Sequence, residues 1–186
     1  MSHPAYSTSE ALARETFNAL MQALSYPGRI LALPEGAESG FALIGQTLLD
    51  IETSFFAPDE AMVSTLANTG ARFLTADKAA YHFYANLDDS ALAHITVATV
   101  GTMLYPDQAA TLIVNCRFGD GVHLTLTGPG VPTGSARDIM VSGVPTAFWD
   151  LREQILNYPL GWDVLLVHGK QVVGLPRTTQ IKITGA

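Results

Sequence analysis

Gly161-Trp-Asp-Val-Leu-Leu-Val167, His168-Gly-Lys170 and Gln171-Val-Val-Gly174 follow one another without a break. Two apolar, β-prone runs around a short glycine-containing turn predict an antiparallel hairpin. Just upstream, Val144-Pro-Thr-Ala-Phe-Trp149 opens a segment of helical periodicity that runs to about residue 156. A helix feeding a buried strand is the alternation of an α/β fold, and the hairpin demands at least one antiparallel pair within it. These residues predict a single α/β domain, a mixed central sheet with flanking helices.

Working outward, Ser7-Thr-Ser-Glu10 has the spacing of a capping box. It starts a helix with Leu12, Phe17, Leu20, Met21 and Leu24 on its apolar face, ending near Ser25 because Tyr26-Pro-Gly28 cannot continue it. Arg29–Leu33 reads as a short strand ending at Pro34, and residues 41–50 as a helix with Leu43, Thr47 and Leu48 on one face. Thr53–Ala57 fits a buried strand, and Pro58-Asp-Glu60 opens a helix to about Ala67. Tyr81–Tyr84 reads as a strand and Asp88–Ala91 as a helix start. Thr111–Arg117 and Val122–Thr127 flank Phe118-Gly-Asp-Gly121, which predicts a second hairpin, and Gln180–Ile183 alternates as a last strand. No repeat, low-complexity stretch or linker divides residues 1–186, with residues 1–7 expected as a flexible tail.

Composition narrows the functional classes. The 186 residues are 48% hydrophobic and only 15% charged, with mean hydropathy +0.23. Ten Lys+Arg against 17 Asp+Glu leave a net charge of −7, so the basic field that nucleic-acid binding requires is missing. No apolar run is long enough for a membrane span. The first residues lack a basic segment followed by an apolar one, so no secretory signal is expected. The single cysteine, Cys116, cannot form an internal disulfide and fits a reducing, cytoplasmic setting. With so few charges for the surface, part of the apolar excess is expected to face another subunit.

Several site types are absent from the sequence. There is no HExxH, HxH or CxxC pattern, and His3, His82, His94, His123 and His168 are widely spaced, so no metal site is expected. There is no GxSxG elbow and no phosphate loop of the Walker type. Lys78, Lys170 and Lys182 are the only lysines. Lys170 falls in a hairpin turn and Lys182 on the last strand, poor places for a desolvated Schiff-base amine. No cofactor is expected, pyridoxal phosphate included.

Three loops could bind an anion. Leu175-Pro-Arg-Thr-Thr179 offers the Arg177 guanidinium and the Thr178 and Thr179 hydroxyls, a set that suits phosphate or carboxylate. The alternative is that Arg177 pairs with a nearby aspartate and braces the loop. In Thr127-Gly-Pro-Gly-Val-Pro-Thr-Gly134, Gly128 and Gly130 could let backbone N–H groups approach an anion, or simply form a rigid turn. Arg29 follows the Pro27-Gly28 turn and could join such a site or be structural. Asp163, after Asn157-Tyr-Pro-Leu-Gly161, is a possible arginine partner, and Cys116 reads as a small core residue.

Ser25-Tyr-Pro-Gly28 after an N-terminal helix, Gly128-Pro-Gly130 after a strand, Pro159-Leu-Gly161 with Asp163, and Leu175-Pro-Arg-Thr-Thr179 occur in that order across residues 10–183. In this arrangement the chain resembles the PhnH subunit family of bacterial carbon–phosphorus lyase. The resemblance implies a fold similar to pyridoxal-phosphate aminotransferases without the cofactor lysine, and a homodimer. It also implies partners of the G, I, J and L type. With such partners, a ribose triphosphate passes from a purine nucleoside triphosphate to an alkylphosphonate, giving a ribose 1-alkylphosphonate 5-triphosphate. It carries over no catalytic residue and leaves the subunit inactive alone, mainly architectural, with Arg177, Thr178 and Thr179 as anion contacts. The alternative reading is a stand-alone α/β enzyme or sensor that binds a small phosphorylated or carboxylated ligand.

Overall fold

A computed structural model describes residues 8–184. The expected tail and the capping residue Ser7 lie outside them. Five helices are described: α1 (Thr8–Ser25), α2 (Gly40–Leu48), α3 (Glu60–Ala67), α4 (Asp89–Thr96) and α5 (Thr146–Ile155). Three of them begin on side-chain caps that satisfy a first-turn N–H: Ser39 accepts from Ala42, Asp59 from Met62 and Asp88 from Ala91.

The strands are β1 (Leu31–Ala32), β2 (Ser54–Phe56), β3 (Arg72–Phe73), β4 (Tyr81–Tyr84), β5 (Thr111–Asn115), β6 (Arg117–Thr127), β7 (Arg137–Ser142), β8 (Asp163–His168), β9 (Gln171–Leu175) and β10 (Gln180–Ile183). Seven form one mixed sheet in the order β1-β9-β8-β5-β4-β2-β3. The β8–β9 hairpin is present, with Val164 opposite Leu175 and His168 opposite Gln171, while β8, β5, β4, β2 and β3 run parallel.

The second predicted hairpin is not formed, and the sheet is not single. After β5 the chain leaves the large sheet at Cys116, and β6 joins a separate antiparallel sheet ordered β10-β6-β7. Phe118 and Val122 both stand opposite Val141, so Gly119-Asp-Gly121 bulges out of β6 rather than turning back on β5. The positive φ of Gly119 (98°) and Gly121 (86°) serves that bulge. β10 also belongs to this second sheet, paired with β6 from Gln180↔Thr127 to Ile183↔Leu124.

Both faces of the large sheet are covered, which is why its strands are continuous apolar runs. Phe55, Phe83, Ile113, Leu165, Val167 and Val172 pack toward the side of α1, α2 and α3. The alternate residues, Phe56, Tyr84, Leu112, Val114, Val164, Leu166 and Val173, face α4, α5 and the small sheet through Ile95, Phe148, Leu124 and Val141. α1 lies directly on β9: a Cβ at Gly174 would come within 2.4 Å of the Ala23 backbone. The buried side of α1 is Thr16, Leu20 and Ala23, whereas Phe17 and Met21, expected in its apolar face, are exposed. Helix α1 thus spends small residues on close approach to the sheet and presents its large ones outward. Among the described residues no helix is long and apolar enough to cross a membrane, and no cluster of three or more His, Cys, Asp or Glu could hold a metal.

Candidate functional site

The four loops singled out in the sequence converge on one place. The Gly28 N–H donates to Gly174 O at 3.3 Å, bringing the Pro27-Gly28 turn against the end of β9. Gly130 sits so close to that turn that a Cβ would lie 2.3 Å from Ser25 O, and its φ of 84° is one that other residues rarely adopt. Gly128 lies against Thr178, its built Cβ 2.8 Å from the carbonyl oxygen. Gly128 and Gly130 therefore act as close-approach points between loops.

Arg177 is the centre of the knot. Its backbone N–H and its Nε–H both donate to Asp163 Oδ1, at 2.8 and 3.3 Å, and its Nη2 donates to Asp163 Oδ2 at 2.6 Å. Nη1 reaches the carbonyls of Pro106 (2.5 Å) and Pro159 (3.3 Å). The guanidinium is thus occupied within the protein, joining the loop after β9 to the start of β8 and to the 102–106 and 157–161 loops. Thr178 is partly buried, and Arg29 stands apart, exposed, with its backbone N–H closing the turn onto Tyr26 O.

Sequence reasoning passed over Arg152. It lies on α5 and is only 4% exposed. Its Nη1 and Nη2 donate to Thr179 O at 3.2 Å, and Nη2 also to Pro176 O at 2.8 Å, so it holds the 176–179 turn from beneath. Its partners are carbonyls, and among the described residues it has no carboxylate in contact. Burial pushes its guanidinium down to about 10, the more distant Asp163 acting the other way. It therefore stays charged at neutral pH. One carboxylate, Asp163, serves two guanidinium groups, and Arg177 has the direct contact. The signal was present in the spacing: Arg152 is four residues after Phe148 and three after Trp149, on the buried side of α5.

A cleft of about 760 Å³ opens between α5 and the edge strand β10, lined by residues that include Trp149, Arg152, Leu156, Thr179, Ile181 and Lys182. Three atoms of these lining residues, Trp149 Nε1, Arg152 Nε and Thr179 Oγ1, are closed off from solvent and have no hydrogen-bond partner among the described residues. Thr16 Oγ1 and His94 Nδ1 are likewise buried without a partner among the described residues, whereas other polar groups of the core are settled internally. Trp162 Nε1 donates to Ala98 O at 3.2 Å, and His82 lies between Tyr84 Oη and Ala79 O at 3.0 and 3.1 Å. Burial holds His82 down to about 4 and pushes the Cys116 thiol up to about 12, so neither is a poised acid, base or nucleophile at neutral pH. Lys170 occupies the β8–β9 turn, but its Nζ is turned out of solvent rather than into it.

Comparison with known proteins gives a concordant result. The family described as bacterial phosphonate metabolism protein (PhnH) matches residues 4–182. The HtxG protein of Stutzerimonas stutzeri, assigned as a C-P lyase subunit, is 38% identical over 173 residues, covering 91% of this chain and 86% of that protein. The alpha-D-ribose 1-methylphosphonate 5-triphosphate synthase subunit PhnH of Rhizobium meliloti is 29% identical, with 91% and 90% covered.

Proposed function

The chain belongs to the PhnH family of bacterial phosphonate metabolism proteins, and from that premise we propose that it works as one subunit of a carbon–phosphorus lyase assembly. The observation that carries this reading is the family match from residue 4 to 182, with both relatives covered over most of their length. With partners of the G, I, J and L type, the assembly makes a ribose 1-alkylphosphonate 5-triphosphate from a purine nucleoside triphosphate and an alkylphosphonate. The name of the Rhizobium meliloti relative supports that product class. The proposal places the protein in the cytoplasm, without a cofactor, on a fold of aminotransferase type that has lost its pyridoxal phosphate.

Within such an assembly the role of this chain is mainly architectural. Arg177 fastens the 102–106 and 157–161 loops to the sheet, and those loops expose Met103, Leu104, Tyr105 and Tyr158. Large exposed apolar groups on an internally braced surface suit docking of another subunit. The exposed Phe17 and Met21 of α1 offer a second such surface, for the homodimer.

Co-expression of the tagged chain with G-, I- and J-type partners, followed by mass determination of the eluted species, tests the reading. A stable hetero-oligomer is expected. A homodimer that ignores G-, I- and J-type partners, or turnover by the isolated chain, overturns it.

A further inference from the structure

We propose that the free edge of β10 is a docking site for an extended segment of another protein chain, one that alternates apolar and basic residues and joins the small sheet as a fourth strand. The proposal goes beyond the subunit reading and stands without it, since it does not depend on which protein supplies the segment.

The direction of the backbone carries the argument. Opposed residues of an antiparallel pair alternate between those that exchange N–H···O bonds and those whose N–H and C=O point away from the partner strand. The Thr184 N–H donates to His123 O at 2.9 Å, and Thr184 continues the register in which Ile183 stands opposite Leu124. Lys182 and Gln180, two and four residues earlier, are therefore bonded positions, and Thr179, Ile181 and Ile183 turn their backbone groups away from β6. Thr179 bears out this parity: its carbonyl oxygen accepts from both terminal nitrogens of Arg152 on α5. Arg152 thus closes the first place along the edge. Beyond it, Ile181 and Ile183 present two N–H and two C=O groups that have no partner among the described residues.

The cleft follows that edge. Gln180, Ile181, Lys182 and Ile183 all line it. A pocket on one face of a strand meets alternate residues only, so a lining of four in succession lies along the edge itself. The opposite wall is α5, through residues that include Asp150, Glu153 and Leu156. An open row of N–H and C=O groups is a template for another strand, and native edges are commonly blunted by proline, a bulge or a cover. Gln180–Ile183 contains no proline and keeps an unbroken register with β6, and Arg152 covers one end alone.

Charge and shape choose the occupant. Asp150 and Glu153 are exposed on α5, and only Lys182 opposes them in the lining. Basic residues on the incoming strand are therefore favoured, and acidic ones meet like charge. Leu156, half-buried on the same wall, gives its apolar residues a contact. A second copy of this chain does not fit. Its own β10 lies at the foot of the same cleft, so joining two such edges sets α5 against α5 and carboxylates against carboxylates.

The test uses nuclear magnetic resonance of the ¹⁵N-labelled full chain with a short blocked peptide of alternating valine and lysine. Its valine–glutamate counterpart is the control. In the dilute chain alone, the Ile181 and Ile183 amides are expected to exchange quickly with solvent deuterium and the Lys182 amide slowly. The valine–lysine peptide is expected to shift Ile181 and Ile183 and to slow their exchange, leaving Lys182 as it was. It should bind at least about tenfold more tightly than the valine–glutamate peptide, and the double substitution Asp150→Lys with Glu153→Lys should reverse that order. Ile181→Pro removes an outward N–H that makes no bond to β6, a change an edge strand tolerates. It should weaken the peptide about tenfold, the effect of one lost hydrogen bond. N-methylation of alternate peptide residues should do the same with the protein unchanged, so the result does not hang on the folding of a variant.

The proposal is overturned by Ile181 and Ile183 amides already protected in the dilute chain, by the absence of any response at millimolar peptide, or by equal binding of the two peptides. Protection that grows with protein concentration, without peptide, also overturns it and names a second copy as the occupant. None of these outcomes bears on co-elution with G-, I- and J-type partners, so the two readings fail separately.

Discussion

Replacing Arg177 by alanine removes the contact that joins most of the loops around the knot. The Arg177–Asp163 pair is neither a surface pair nor a fully buried one: its side chains keep 15% and 25% of their exposure. Exposed pairs are worth about 0–1 kcal/mol, and breaking a buried pair costs roughly 3–5 kcal/mol because one charge is stranded. Most of both groups is out of water and the contact is two-pronged, at 2.6 and 3.3 Å. The expected loss is therefore about 2–3 kcal/mol. The Pro106 and Pro159 carbonyls can turn to water and add little. For a chain of this size that loss lowers the melting temperature by roughly 5–10 °C. Asp163→Asn keeps an acceptor for the Arg177 backbone N–H and removes only the charge. It should lose somewhat less, and the double variant should fall well short of the sum of the singles. Thermal unfolding followed by circular dichroism on the four proteins reads the cycle. Additive losses, or an Arg177→Ala protein that melts with the wild type, would refute the brace and return Arg177 to the role of a ligand contact.

Three other outcomes are expected. His82 is held neutral down to about pH 4 in the fold but titrates near 6.5 when unfolded, so the unfolded state binds more protons in between. Stability that is intact above pH 6.5 should decline by about 3 kcal/mol as the pH falls to about 4, and denaturant titrations of His82→Gln should lack most of that decline. Gly174→Ala places a methyl group within 2.4 Å of the Ala23 backbone and must lift α1 from β9; a loss of about 1–3 kcal/mol is expected in the same unfolding assay, and wild-type stability would contradict the close approach. Cys116, buried and with its thiol held up to about 12, should resist an aromatic disulfide reagent in the native protein and react fully once unfolded.

Elements governed by local chemistry were legible in the sequence. Asp59 and Asp88 announce α3 and α4 because a cap needs only the next few residues, and the β8–β9 hairpin follows from its own turn. The division into two sheets was not legible. Gly119 and Gly121 flank a polar residue just as a hairpin turn would, and only the pairing of Arg117 with Ser142 shows that β6 had already left its neighbour. The true partner, β7, lay in a stretch dominated by glycine and proline, although Ile139 and Val141 alternate as a half-buried strand should. The candidate loops do meet one another in the fold, through Gly28 on Gly174, Gly128 on Thr178 and Arg177 on Asp163, yet Arg152 was missed. Between Asp150 and Glu153 it looks like part of a solvated helix face, and its burial comes from a loop some 25 residues further along the chain.

The strand order of the large sheet also has a consequence for the moment the protein is made. β1 is held by β9, and α1 rests its backbone on Gly174, so a segment that leaves the ribosome early docks on one that leaves much later. At translation rates of about 5–20 residues per second, helix α1 waits on the order of ten seconds for its floor. During that interval Leu20, Leu24 and the apolar side of α2 have no sheet to cover them. Chaperone capture is expected at this early stretch of the nascent chain, and the packed face of α1 is completed only after β9 has emerged.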